Sequence, residues 1–284
     1  MIRLAGMRAR LTRFPKSPPE ALAYPPPEMR ALVGPTDEAS FDNPTGALVY
    51  PHIAAGLYRR VFDFGCGCGR VARQLILQTP RPERYVGVDL HRGMIEWAET
   101  NLTPAAPEFQ FLHHNVYNRS FNPGQGLPEV APLPVADASF TLVNALSVFT
   151  HLTERQAVYY MKEAGRILET GGLLHASFFL IDKTQFPMMM EHSNALYLSY
   201  EDPSAAVLDD REWVRRTAAD AGLTVVGVVP PRVRNHQWIL MFEHTRPGVE
   251  SVPFPDDDAP VGKIVTPPMP SNAHLIGLSG KTER

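Results

Sequence analysis

The sequence predicts an α/β domain: a doubly wound, mostly parallel sheet with helices on both faces. Three observations predict it. From residue 61 onward, short apolar runs alternate with stretches of helical periodicity. The first run, residues 61–64, opens directly onto Gly65, Gly67 and Gly69, and a helical stretch, residues 71–77, follows. The last two runs, residues 223–229 and 237–243, are joined by Pro230-Pro231 and a short loop, so they close the chain as a hairpin.

The glycine loop carries the chemistry. Alternating glycines let the backbone take positive φ and approach a ligand with no Cβ in the way. The helix behind them points its N-terminal amides and positive dipole end at the same spot. The loop therefore suits a carboxylate or a phosphate. Asp63 stands two residues before Gly65 and narrows the choice. An acid there repels a pyrophosphate but accepts hydrogen bonds from an ammonium group. An amino acid has both ammonium and carboxylate, and S-adenosylmethionine carries both.

Asp63-x-Gly65-x-Gly67-x-Gly69 resembles motif I of the class I S-adenosylmethionine-dependent methyltransferases, and the resemblance extends over residues 60–244. It implies S-adenosyl-L-methionine as cofactor, with Asp63, Gly65, Cys66, Gly67 and Gly69 among the residues that bind it. It also implies a Rossmann-like sheet of seven strands, order 3-2-1-4-5-7-6, with the last strand antiparallel. A competing pattern is present. Residues 67–72 fit the G-x-G-x-x-A of nicotinamide-binding folds, and an acid follows about 20 residues on. Asp63 and the order of the later elements favour the methyltransferase.

Composition sets the class of partner. The 284 residues suffice for one large domain or two small ones, and 44% are hydrophobic, enough to fill a core. A net charge of −3 leaves no nucleic-acid footprint, so a small-molecule substrate is expected. Cys66 and Cys68 both lie in the glycine loop. At that spacing they are poor disulfide partners and too few for structural zinc, so they read as small packing residues. So few cysteines fit a reducing cytoplasm, the expected location. Residues 1–16 hold Arg3, Arg8, Arg10, Arg13 and Lys16 and no acid, without the apolar core of a secretory signal. No apolar run approaches the ~18 residues of a membrane span.

Three regions follow from the pattern. Residues 1–58 form a proline-rich N-terminal segment, of which residues 47–58 look partly helical. By the resemblance, residues 20–58 cover the pocket as a lid; an arm packed on the sheet's far face is the alternative. Residues 59–245 form the domain proper, with residues 181–207 as an apolar, methionine-rich insertion on the substrate side. Residues 246–284 recur in proline without periodicity and read as a disordered tail.

Within the domain, residues 84–89 form the second strand. It ends in Asp89, which matches the family's motif II acid and can accept both ribose hydroxyls. Leu90 follows and suits the adenine face. A third strand covers residues 108–112. Asn115 then stands where the family often has an acid facing the adenine amino group, with Val116 beside it. Residues 140–145 are the fourth strand, bringing Asn144 and Ala145 beside the methionine part of the cofactor. Thr153 and Gln156 form a capping box that opens a helix, which Gly171-Gly172 end in a left-handed turn. Residues 173–180 are the fifth strand. Asp209-x-x-Glu212 is a second capping box, opening a helix that Gly222 ends.

Methyl transfer from a sulfonium is an in-line displacement, for which the protein supplies orientation and a dry site. A hydroxyl acceptor also needs a base for its proton. His151, in the loop just past the fourth strand, is the candidate. A packing role beside the next helix is its alternative. His192 and His236 lie in segments that could reach the pocket. Asp137, Asp209 and Asp210 form no tight acid cluster, so no metal is expected. A hydroxyl of a sugar, glycolipid or secondary metabolite ranks first as acceptor. A small amine, a nicotinamide oxidoreductase and a non-catalytic binding protein stay open.

Overall fold

The computed structural model describes residues 22–231 and 236–255. The basic residues 1–16 and the tail from residue 256 lie outside them. Chain order is α1 (Pro27–Leu32), β1 (Arg60–Phe64), α2 (Arg70–Leu77), β2 (Arg84–Asp89), α3 (Arg92–Asn101), β3 (Phe109–His113) and β4 (Phe140–Ala145). Then come α4 (Glu154–Ile167), β5 (Leu168–Ile181), β6 (Ala195–Tyr197), β7 (Val207–Asp210), α5 (Arg211–Asp220), β8 (Leu223–Val229) and β9 (Trp238–His244).

The main sheet runs β3-β2-β1-β4-β5-β9-β8. Strands β1 to β5 are parallel, and β9 is antiparallel to both β5 and β8. This is the expected seven-strand order, with β8 and β9 in the last two places. Alternation along each strand serves two cores. Phe62, Phe64, Val86, Val143 and Ala145 face α4 and α5. Val61, Tyr85, Leu142 and Leu173 face α2, α3 and residues 53–58. Burying both faces is what makes these strands near-continuous apolar runs.

The sheet also gains a pair of strands that alternation did not predict. β5 outruns its neighbours, pairing with β9 through Phe178 and with β7 from Phe179 to Ile181. β7 in turn carries β6 antiparallel. Part of the insertion is thus an added sheet margin.

Four further expectations are corrected. Residues 47–58 contain a single 3-10 turn, Ala55–Arg59, and no α-helix. Gly46 at positive φ and Pro51, which lacks an N–H, interrupt the periodicity. α4 stops at Ile167, ahead of the glycines, because Leu168 is already extended and pairs with Phe140. Gly171, at φ +82°, therefore lies within β5. Asp210, not Asp209, caps α5, accepting from Trp213 N at 3.0 Å; Asp209 is buried in β7. Finally, residues 246–255 pack against the domain. Val252 is 1% exposed, its N–H donates to Val225 O at 2.8 Å, and Phe254 lies under the Arg215 guanidinium.

Candidate active site

The glycine loop leaves β1 at the carboxyl edge of the sheet, where open α/β sheets hold ligands. Gly65, Gly67 and Gly69 all take positive φ. The N–H groups of Gly65 and Cys66 both donate to Val88 O, which folds the loop over the end of β2. Gly67 N–H and His91 N–H donate to the two oxygens of Asp89, each at 2.8 Å. The motif II acid thereby holds the glycine loop from below. A Cβ on Gly67 would stand 2.5 Å from Val33 Cγ1, so only a glycine lets the N-terminal segment close over the loop.

A cavity of about 420 Å³ opens here. Of the residues expected to bind cofactor, Asp63, Gly65, Cys66, Gly67, Asp89, Leu90, Val116 and Asn144 line it, and so does His151. Three do not. Gly69 caps α2, and its bare Cα makes room for Leu102. Ala145 is buried in the core facing α4. Asn115 is exposed and accepts from Asn122 Nδ2, while His114, anchored by its N–H to Asp89 O, lines the cavity instead. Leu32 and Val33, at the end of α1, line the cavity too, as does Arg70 at the start of α2. His192 and His236 are exposed and do not line it.

Asp63 begins a polar row that crosses the sheet. Its two oxygens accept from Tyr85 Oη at 2.7 Å and from Asn144 Nδ2 at 2.6 Å. Asn144 uses its amide as donor, so its Oδ1 is left to accept from His175 Nδ1 at 3.0 Å. His175 Nε2 then has no proton to give, and His52 Nε2, 3.2 Å away, must supply one. Register makes the row possible, since Asp63, Asn144 and His175 are paired neighbours on β1, β4 and β5.

Burial dominates the electrostatics. It raises the Asp63 carboxyl to about 6, against the donors around it, and also pushes Asp89 upward. Burial lowers His175 to about 3, with His52 adding to the effect. His114, bonded to Tyr160 Oη at 2.9 Å, is lowered to about 4 for the same reason. The row's central histidine and His114 are therefore neutral at pH 7, and Asp63 is ionised.

His151 ends the 3-10 turn Phe149–His151. Its Nδ1 lies 2.9 Å from Ser204 O. A carbonyl only accepts, so Nδ1 carries a proton, and in the neutral imidazole Nε2 is then the bare nitrogen.

Residues 62–176 match the family model of the methyltransferase domain. The chain carries a class I S-adenosylmethionine-dependent methyltransferase domain. The matched residues run from β1 into β5 and so include the glycine loop, Asp89, Asn144 and His151. Among similar solved structures, a methyltransferase of Methanosarcina mazei is 15% identical, over 65% of this chain and 92% of that one, with a TM-score of 0.45. A protein of Pyrococcus horikoshii OT3 is 19% identical over 66% and 82%, with a TM-score of 0.43. A TehB-like methyltransferase of Corynebacterium glutamicum is 17% identical over 69% and 83%, with a TM-score of 0.40. The assignment rests on the family match, the sheet order and the loop geometry.

The methyltransferase cavity fits S-adenosylmethionine. Gly65 and Gly67 line it without a Cβ, their side-chain space taken by Val148 and Val33. Asp89 keeps spare lone pairs beyond its two amide bonds, and Arg70 offers a cation near Asp63. Among the described residues, no three His, Cys, Asp or Glu side chains are grouped to hold a metal, and no helix is long and apolar enough to cross a membrane.

Proposed function

We propose that this methyltransferase transfers its methyl group to a hydroxyl of a small acceptor with an apolar body, such as a glycolipid or a secondary metabolite. In this reading Asp89 holds the ribose, and Leu90 and Val116 flank the adenine. Asp63 and the Gly65–Gly67 backbone hold the amino-acid end, with Arg70 beside its carboxylate. Residues 31–34 act as the lid. The bound cofactor supplies an electrophilic methyl on a sulfonium.

The observation that carries the reading is His151. Its Nε2 is the bare nitrogen, on a residue that lines the cavity past β4. It takes the hydroxyl proton as the oxygen attacks, and the imidazolium returns that proton to water afterwards. The acceptor side supports the apolar body. Tyr117 and Phe121 line the cavity and are 39% and 38% exposed. A bare sugar would have little use for such aromatic surface.

The experiment measures S-adenosylhomocysteine release with a panel of glycolipids and apolar alcohols. His151→Ala should lower turnover by about 10²–10⁴ and leave cofactor binding nearly intact. A variant that keeps its rate would refute the base, and a panel in which only amines react would refute the acceptor.

A further inference from the structure

His151 does not hold itself in place. Its partner, the Ser204 carbonyl, belongs to the turn between β6 and β7, over fifty residues away in the chain. That turn is built around one carboxylate. Asp202 Oδ1 accepts from Ser204 N at 3.1 Å and from Ser204 Oγ at 2.6 Å. Asp202 Oδ2 accepts from Ser120 Oγ at 2.9 Å. The same two segments meet again where Asn118 Nδ2 donates to Ser204 Oγ at 3.3 Å and Arg119 donates to Glu201 O. Ser120 sits between Tyr117 and Phe121, which line the cavity and in the proposed reading face the acceptor.

From these contacts we infer that Asp202 is a positioning residue for the methyl transfer: by fixing Ser204, it keeps His151 in the tautomer with Nδ1 protonated and Nε2 bare. The inference rests on the reading of His151 as the base. The physical argument is directional. A neutral imidazole chooses between two tautomers, and the hydrogen bond made by one nitrogen decides which nitrogen is left free. The Ser204 carbonyl makes that choice only while it points at Nδ1. Ser204 lies in a part-exposed turn, and a turn of this kind keeps its carbonyl direction through the Asx-type bonds that Asp202 makes to the serine two residues on. The Oδ2 bond to Ser120 also ties the acceptor wall to the same carboxylate. One side chain thus sets the base and the adjacent wall together. The Asp202 carboxyl is itself held below its usual range, first by the Ser204 hydroxyl, and so stays an acceptor at neutral pH.

The test uses the full chain with ¹⁵N-labelled histidine, above the usual histidine pKa, with His151 assigned by comparison with His151→Ala. Two-bond proton–nitrogen spectra report which ring nitrogen is protonated. In the wild type, His151 should give a protonated Nδ1 and a bare Nε2. In Asp202→Ala the ratio of the two forms should move by roughly tenfold toward Nε2–H, what a single hydrogen bond is worth. Asp202→Asn keeps an acceptor oxygen for Ser204 and should restore most of the wild-type ratio. A wild-type His151 already protonated on Nε2 overturns the inference without any variant, as does an Asp202→Ala spectrum identical to wild type. If the tautomer moves as expected while His151→Ala retains full turnover, Asp202 sets the His151 tautomer but the base reading falls, and with it any role of Asp202 in the methyl transfer.

Discussion

Replacing Asp63 with asparagine should make this protein more stable at neutral pH and poorer at holding its cofactor. The carboxyl is held at about 6, against 3.8 for the free group, and burial is the main cause. Its ionised form therefore costs about 3 kcal/mol in the folded state, at about 1.4 kcal/mol per pH unit. The sign follows from proton affinity. Between about 4 and about 6 the folded state binds the proton more tightly than the unfolded chain, so the wild type loses stability as pH rises through that window. Asparagine is isosteric and uncharged. Its oxygen can keep the Asn144 bond, and its amide can donate to Tyr85 Oη, at a reorientation cost of about 1 kcal/mol. The net gain at pH 7 is about 2 kcal/mol, or roughly 4–8 °C in melting temperature for a chain of this size. At pH 4 the wild-type carboxyl is protonated and the gap should close. The lost charge should weaken S-adenosylhomocysteine binding by at least about tenfold, since hydrogen bonds to charged groups are worth about 1.5–3 kcal/mol. Thermal melts of both proteins from acid to neutral pH, with titration calorimetry at pH 7, decide the matter. A variant less stable than wild type at pH 7, or a gap that ignores pH, would refute the reasoning.

Two more outcomes follow from the geometry. Truncation after Arg246 removes buried Val252 and its bond to Val225, together about 3 kcal/mol, so a melt should drop by roughly 6–12 °C; an unchanged melt would show that residues 247–255 contribute nothing. Asp89→Ala should cut cofactor affinity at least about tenfold, read by calorimetry. It should also lower the melting temperature, because Gly67 and His91 lose their acceptor; a variant that binds normally would remove Asp89 from the ribose site.

Much of the fold was legible because burial on both faces writes β1 to β5 as apolar runs, and because a glycine loop has few structural uses. The rest was hidden for local reasons. β6 and β7 are three and four residues long, too short to show an alternation, and they exist only because β5 runs on past its neighbours. Asn115 was placed by analogy with a family position. The backbone bond from His114 to Asp89 turns the neighbouring residue inward instead. Residues 246–255 looked like tail because their prolines mask the spacing of Val249, Val252 and Phe254. Arg70 had a signal that was passed over, a cation directly after the glycine loop. Val33 had none, since nothing in the N-terminal segment says which of its apolar residues meets Gly67.

The row from Tyr85 through Asp63, Asn144 and His175 to His52 has a consequence for how this sequence can drift. Its bonds all run toward Asp63, from Tyr85 on one side and from His52 through His175 and Asn144 on the other, because a carboxylate can only receive. Exchanging Tyr85, Asn144, His175 or His52 alone removes a donor or an acceptor and leaves a neighbour unmatched in a dry interior. Only Asp63→Asn can re-pair with both neighbours, and it gives up the charge that the cofactor needs, while joint replacement by apolar side chains would leave nothing unmatched. Lineages of this protein should therefore hold the five residues together or lose them together, and a chain found with only part of the row would be expected to carry a compensating change at the adjoining member.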